Sequence, residues 1–222
     1  MTKLKGELPR SLKAKQQTAQ LYIKLFQKYY PDAHCALDHK NAFELLIATI
    51  LSAQCTDERV NMVTPALFKK FPTPQKMAKA TQVEIEELIR STGFFSNKAK
   101  NILQCCKTLV EVHKGEVPQD LEALVQLAGV GRKTANVVLG NAFNITSGIV
   151  VDTHVTRLAQ RFGWVKSDNA VIIEREMQKF IPEEHWIMIS HWLISHGRAV
   201  CKARKPDCSH CFLESHCPQR LD

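Results

Sequence analysis

The chain of 222 residues is 45% hydrophobic and 23% charged, with a formal net charge of +8. This composition provides enough apolar side chains for one large domain or two closely packed lobes. The chain therefore needs no disulfide bonds to stabilise its fold. Because no run of about 18 apolar residues occurs, and no apolar run follows the charged start, we expect a cytoplasmic protein that neither spans a membrane nor is exported. Basic residues cluster at 3–28 and 198–205. Nucleic acid is therefore a candidate partner, although net charge alone fits an ordinary basic protein equally well.

Apolar residues recur at helical spacing along almost the whole chain, whereas strand-like alternation is hard to find. Glycine and proline separate the periodic segments, and a short polar connection at 144–148 is the one candidate domain seam. The predicted fold class is therefore all-α. The predicted helices cover about 11–30, 42–53, 57–70, 75–79, 82–90, 96–114, 120–127, 132–143, 153–162, 168–180 and 184–199.

The loop at 127–134 joins two of these predicted helices and contains Gly129, Val130 and Gly131, followed by Arg132 and Lys133. Two glycines allow a sharp turn and a close approach to main-chain N–H groups at a helix N-terminus, which would form a seat for a DNA phosphate. A turn whose glycines serve packing alone is the alternative, and a lysine beside phosphates is more often an electrostatic contact than a nucleophile.

Cysteines are unevenly placed along the chain. Cys35, Cys55, Cys105 and Cys106 lie in or beside predicted helices and are expected in the core. The other four occupy a polar tail without helical periodicity, which suggests a metal centre. Spacing alone leaves two candidates open, a structural zinc ion, for which His210 and His216 are substitute ligands, and a [4Fe–4S] cluster. The four candidate ligands are Cys201, Cys208, Cys211 and Cys217.

Several motifs in this order resemble the helix–hairpin–helix DNA glycosylases of the endonuclease III type. The residues that carry the resemblance are Leu127 to Asn136 and Val151 to Val155, with supporting segments at 43–57 and 93–101 and in the terminal cysteines. The resemblance covers nearly the whole chain. One departure is Ala128, where the family usually has proline; we expect a slightly less rigid turn and little effect on chemistry.

The resemblance implies a bifunctional glycosylase and AP lyase of base excision repair that removes oxidised pyrimidines from duplex DNA. Lys133 falls on the family's catalytic lysine and Asp152 on its catalytic aspartate. A neutral lysine amine can attack the sugar and form a Schiff base that permits β-elimination, which requires a pKa lowered by burial or by a cation such as Arg132. Without the resemblance, Asp152 is best explained as a helix N-cap, a role compatible with catalysis, and His154 as a structural histidine.

Base extrusion requires side chains that enter the DNA. By resemblance, Gln54 fills the vacated space and Phe94 is the apolar wedge. Without the resemblance, Gln54 would be a surface amide and Phe94 a core aromatic residue.

The resemblance also implies that the four tail cysteines hold a [4Fe–4S] cluster and that the loop between the first two ligands contacts DNA through Lys202, Arg204 and Lys205. It further implies two helical lobes, about 35–145 and 1–34 plus 146–222, with the cleft between them as the active site. We expect a monomer associated with the nucleoid of a prokaryote.

Two other functions compete with this one. A relative that removes adenine by water attack is disfavoured, because such relatives lack the lysine found at position 133 and carry a further C-terminal domain. A nonenzymatic DNA-binding protein with a structural metal would share the hairpin, the basic residues and the cysteines, but it would give no reason for the pair Lys133 and Asp152.

Overall fold

The computed structural model of the chain describes residues 6–218. Over this part of the chain, the backbone forms α-helices and short 3-10 helices, and no strand is assigned within it. The all-α prediction is confirmed. The α-helices are α1 (Leu12–Tyr29), α2 (Ala42–Leu51), α3 (Asp57–Lys70), α4 (Pro74–Ala78), α5 (Gln82–Ile89), α6 (Phe95–Val112), α7 (Leu121–Val125), α8 (Arg132–Phe143), α9 (Thr153–Arg161), α10 (Ala170–Gln178) and α11 (Trp186–Ala199). The 3-10 helices span Arg90–Thr92, Glu183–His185 and Cys208–His210.

Polar side chains determine where most of these helices begin. The residue before the first helical residue accepts a hydrogen bond from a backbone N–H in the first turn, which satisfies a donor that has no partner within the helix. In α5 the cap is reciprocal, because Glu84 also accepts from the backbone of Thr81. The capping residues are Ser11, Asn41, Thr56, Thr73, Thr81, Asp120, Asp152 and Asn169.

Two helices differ from the predicted segments in ways that affect the site. The predicted helix 120–127 ends earlier, at Val125, because the backbone N–H of Gln126 already bonds within a tightened last turn. The segment after α5 continues as a 3-10 helix to Thr92 and then turns at Gly93, where φ is +66°.

The described residues divide into two compact units. The first, named the hairpin unit, is Cys35–Ser147. The second, named the terminal unit, comprises the described residues up to His34 and from Gly148 onward. None of the helices described within residues 6–218 is long and apolar enough to cross a membrane.

The hairpin unit is built around α2. Every residue from Phe43 to Leu51 is buried, as expected for a helix that is apolar on all sides. Helices α3, α6 and α8 pack against it. Cys105 and Cys106 are fully buried in this core, as predicted, whereas Cys35 and Cys55 are partly buried and pack against it.

The terminal unit has a separate core that is rich in aromatic residues. Tyr22 of α1 packs edge-on against Phe162 at 4.8 Å between ring centroids, and Trp164 lies 5.1 Å from Phe162. Offset and edge-on aromatic contacts of this kind add to the free energy gained by burial. Helices α9 and α11 also pack together in this unit.

Candidate active site

The hairpin between α7 and α8 depends on one glycine conformation. Gly129 has φ +78°, in the region that disfavours a side chain, and a Cβ there would lie 3.0 Å from Cβ of Asn101. The N–H of Val130 donates to the carbonyl of Leu127 at 3.1 Å, and the Val130 side chain is buried. Gly131 has φ −94°, a conformation open to any residue, so the positive φ that favours glycine in this loop is that of Gly129.

Gly131 has a different role at the start of α8. It is the N-cap residue, it has no side chain to cap the helix, and nothing lies within 4 Å of the position that a Cβ would take. The first N–H groups of α8 therefore face a space that an anion can approach closely. Arg132 and Lys133 follow directly, and both are exposed. This geometry suits a phosphate seat.

Lys133 is the second residue of α8, and its side chain is exposed. We expected either burial or a neighbouring cation to favour the neutral form of this amine. The protein alone does not bury it. The amine is accessible to a substrate that enters from solvent. Desolvation of this amine would have to come from the bound nucleotide.

Asp152 is half-buried in the terminal unit and caps α9. Its Oδ1 accepts a hydrogen bond from the N–H of Val155 at 2.9 Å, so the N-cap interpretation is confirmed. The cap uses one of the two carboxylate oxygens, and it fixes the orientation of the carboxylate.

His154 lies in the first turn of α9, where its Nδ1 is 3.1 Å from Nη2 of Arg157. Burial lowers the pKa of His154, the Asp152 carboxylate raises it, and the guanidinium groups of Arg157 and Arg198 lower it again. The structural interpretation of His154 fits these contacts, because the ring is held by a neighbouring side chain within the terminal unit.

Gln54 and Phe94 lie on two turns of the hairpin unit and share an unusual conformation. Gln54 has φ +52° and Phe94 has φ +47°, and each such left-handed non-glycine residue is strained. Gln54 is exposed, and Phe94 is 66% exposed. The alternative that Phe94 is a core residue is therefore wrong. Strained and exposed residues of this kind are common at functional sites.

The four tail cysteines line one cavity of the terminal unit. Burial raises the pKa of the Cys211 thiol to about 11, a backbone hydrogen bond near Leu213 opposes this rise, and the charges of Cys201 and Cys208 add to it. The sulfur atoms therefore lie close enough to affect one another. Among residues 6–218, however, no group of three or more His, Cys, Asp or Glu residues is arranged to hold a single metal ion.

The loop 202–205 between the first two cysteines presents Lys202, Arg204 and Lys205, all of which are exposed. Arg161 holds this loop from inside, because its guanidinium donates to the carbonyls of Lys202 at 2.8 Å and Ala203 at 3.0 Å. The same guanidinium donates to Sγ of Cys201 at 3.3 Å. The basic loop is thereby tied to the cysteine cavity.

Sequence reasoning missed several supporting residues. Arg157 donates to the carbonyl of Cys201 at 3.0 Å and lies four residues before Arg161, so the i, i+4 spacing of two arginines was an available signal. Nε2 of His196 lies 3.5 Å from Sγ of Cys211. In the hairpin unit, the missed residue is Lys98, which is buried although it is charged.

Comparisons with known proteins identify the family of the chain. The sequence pattern of the HhH-GPD superfamily of base excision DNA repair proteins matches residues 47–183. An endonuclease III from Synechocystis sp. is 54% identical over 96% of this chain and 97% of its own length.

Solved structures lead to the same family. A trapped covalent intermediate of an endonuclease III with DNA is 45% identical, covers 93% of this chain and 96% of its own, and superimposes with a TM-score of 0.86. A non-covalent complex of an endonuclease III with DNA, also 45% identical over 93% of this chain and 95% of its own, has a TM-score of 0.87. The all-α fold, the hairpin and these similarities together show that the chain belongs to the endonuclease III family within the HhH-GPD superfamily of base excision DNA repair proteins.

Proposed function

We propose that this base excision repair DNA glycosylase and AP lyase removes oxidised pyrimidines from duplex DNA, with Lys133 as the nucleophile and Asp152 as its carboxylate partner. The observation that carries the proposal is the position of Lys133, an exposed amine two residues after an open phosphate seat at Gly131. A phosphate held at the N-terminus of α8 would place the neighbouring deoxyribose beside this amine. The relative trapped as a covalent intermediate with DNA supports a covalent nucleophile.

The lysine accounts for both activities of the enzyme. The uncharged amine attacks C1′ of the deoxyribose, the glycosidic bond breaks, and the damaged base leaves with the bonding electrons and takes up a proton. The attacking nitrogen then loses a proton, the C1′–O4′ bond breaks and O4′ takes up a proton, which leaves an open-chain protonated Schiff base. This Schiff base acidifies the proton on C2′, whose removal expels the 3′ phosphate by β-elimination. One amine thus supports base excision and strand cleavage in sequence.

Asp152 would stabilise the positive charge that develops on the sugar as the glycosidic bond stretches. Its hydrogen bond to the N–H of Val155 orients the carboxylate in advance, so little reorganisation is needed during the reaction. The same carboxylate would accept and return protons around the amine of Lys133. Capping and catalysis are therefore compatible roles.

Gln54 and Phe94 would enter the DNA when the damaged nucleotide is extruded. Both side chains are exposed on strained turns of the hairpin unit, which suits residues that leave water for the base stack. Phe94 would act as the apolar wedge, and Gln54 would hydrogen-bond the orphaned base. Lys202, Arg204 and Lys205 would contact phosphates through charge.

Cys201, Cys208, Cys211 and Cys217 would hold a [4Fe–4S] cluster. The fit rests on four thiols around one cavity and on the guanidinium of Arg161 beside Cys201, a cation that compensates the negative charge of a thiolate. When bound, the cluster would cross-link the loop and supply no step of the excision reaction. Anaerobically purified protein should be brown, and a colourless protein with stoichiometric zinc would contradict this assignment.

Borohydride trapping on a duplex with one abasic site tests the nucleophile. We expect a covalent adduct with the unmodified chain and none with Lys133→Ala, because the reducible Schiff base requires this amine. Lys107→Ala, which removes an exposed lysine from α6, is the matched control and should form the adduct normally. An undiminished adduct in Lys133→Ala would place the nucleophile elsewhere. Loss of the adduct without loss of DNA binding would exclude simple misfolding.

We further propose that the enzyme works as a monomer in the cytoplasm of a prokaryote, bound to the nucleoid, because its substrate is chromosomal DNA. The similar endonuclease III from Synechocystis sp. is a bacterial protein.

A further inference from the structure

Lys98 is buried in the first turn of α6, with 5% of its surface exposed. Buried lysines are rare, because transfer of the ammonium out of water is costly unless it is paired. Its Nζ donates a hydrogen bond to the backbone carbonyl of Thr92 at 2.7 Å. Burial lowers the pKa of Lys98, and the charge of Cys55 raises it. Because the buried ammonium donates to the Thr92 carbonyl, we looked for a structural role of Lys98 at that carbonyl.

The carbonyl that Lys98 holds belongs to the turn that presents Phe94. Gly93 and Phe94 follow Thr92 with φ +66° and φ +47°, so two successive residues adopt conformations that cost about 1–2 kcal/mol for a residue with a side chain. The backbone N–H of Lys98 also donates to the carbonyl of Phe94 at 3.1 Å. Lys98 therefore fixes the turn on both sides of its strained residues.

The first two turns of α6 also lie beside the other two DNA-reading elements of the hairpin unit. The thiol of Cys55, which affects the Lys98 ammonium, directly follows the strained residue Gln54. Asn101, one turn after Lys98, lies against Gly129 of the hairpin. Lys98 and Asn101 thus connect the first two turns of α6 to the turn at 92–94 and to the hairpin.

We infer that Lys98 is a positioning residue, whose buried ammonium holds the turn at 92–94 so that Phe94 is already in its wedge conformation before DNA arrives. The inference rests on the proposed role of Phe94. A wedge that is ordered in advance loses less conformational entropy when it enters the base stack. Lys98 would act through Phe94 and would not touch the DNA.

The test measures two activities of Lys98→Met. This variant keeps an unbranched apolar stem, one atom shorter than the lysine side chain, and removes the donor to Thr92. We expect excision of an oxidised pyrimidine from duplex DNA to fall by about tenfold to 100-fold, with a smaller loss of β-elimination at a preformed abasic site. Borohydride trapping on the abasic duplex normalises each preparation to its active fraction. Lys107→Met, on the same helix, controls for the lost charge and should change neither activity.

Comparison with Phe94→Ala separates positioning from a general structural role. Phe94→Ala should lower the ratio of base excision to β-elimination. Adding Lys98→Met to Phe94→Ala should lower this ratio no further, because both changes remove the same function. Additive losses in the double variant, or an unchanged ratio in Lys98→Met, would overturn the inference. An unchanged ratio in Phe94→Ala would instead refute the wedge role itself.

If Lys98→Met does not fold, Lys98→Gln replaces it in the same two measurements. Its side chain is one atom shorter and uncharged, so it is cheaper to bury but does not reach the Thr92 carbonyl at the same place. The same loss of ratio and the same lack of additivity are expected. A ratio equal to that of the unmodified enzyme in Lys98→Gln would overturn the inference as well.

Discussion

Replacing the two hairpin glycines separately should distinguish turn geometry from phosphate approach. Gly129→Ala forces an alanine into φ +78° and brings its Cβ to 3.0 Å from Cβ of Asn101. The left-handed conformation costs about 1–2 kcal/mol. This loss corresponds to a decrease of about 2–8 °C in the melting temperature of a chain of this size.

Gly131→Ala should behave in the opposite way. The backbone of Gly131 has φ −94° and ψ 174°, which any residue adopts, and nothing lies within 4 Å of the added Cβ. Stability should therefore change by less than about 0.5 kcal/mol. The added methyl group would instead stand where a phosphate approaches the N–H groups of α8. Loss of one hydrogen bond to a charged group costs about 1.5 kcal/mol, or roughly a tenfold weaker affinity.

The assays are urea unfolding for stability and fluorescence anisotropy with an abasic-analogue duplex for affinity, at a temperature where each variant is folded. Gly163→Ala is the control for strain alone, because Gly163 has φ +70° in the terminal unit and a Cβ there would meet Leu8. It should lower stability and leave affinity unchanged. If Gly131→Ala bound DNA as tightly as the unmodified chain, the proposal that a DNA phosphate binds at Gly131 would be wrong.

Three other changes test separate parts of the structure. Asp152→Asn keeps an N-cap side chain, so stability should change by less than about 0.5 kcal/mol, while single-turnover excision falls by about 100-fold or more; undiminished excision in Asp152→Asn, with a loss only in the destabilised Asp152→Ala, would leave only the capping role. Arg161→Met removes the donor to Sγ of Cys201 and to the loop carbonyls, so iron per chain and DNA affinity should both fall, whereas Arg175→Met on α10 should alter neither. Burial lowers the pKa of His191 to about 4 from its ordinary value, with a further lowering by the charge of His34. The unfolded chain therefore binds more protons between about pH 4 and 6.5, and stability should fall with decreasing pH across this window. His191→Gln should reduce that slope by up to one proton in urea titrations, and an unchanged slope would show that the imidazole of His191 is not its origin.

Several features of the site could be predicted from sequence because each depends on a local pattern. Asp152 before a helical segment predicts a cap, and the structure has that cap. Gly129 and Gly131 before Arg132 predict a turn into a helix N-terminus, although their φ angles show that only the first is needed for the turn. The conformation of each glycine depends on what packs beside it, which spacing does not reveal.

Other features depend on residues that are distant in sequence. The exposure of Phe94 could not be predicted from its apolar side chain, because it depends on the turn in which Phe94 has φ +47°. The support of loop 202–205 by Arg161 joins segments that lie about forty residues apart. Such contacts have no signature in local periodicity.

The sequence by itself determined the all-α fold, the helix starts and the identity of the chemical groups, because capping, helical periodicity and residue type act over a few neighbouring residues. Only the tertiary structure decided which lysines are buried and which are exposed, and which turns carry strain. Lys98 and Lys133 both occur near the start of a helix, yet one is buried beneath a turn and the other faces solvent. The reason is physical: burial is set by the packing of whole elements, and strain persists only where distant contacts hold it.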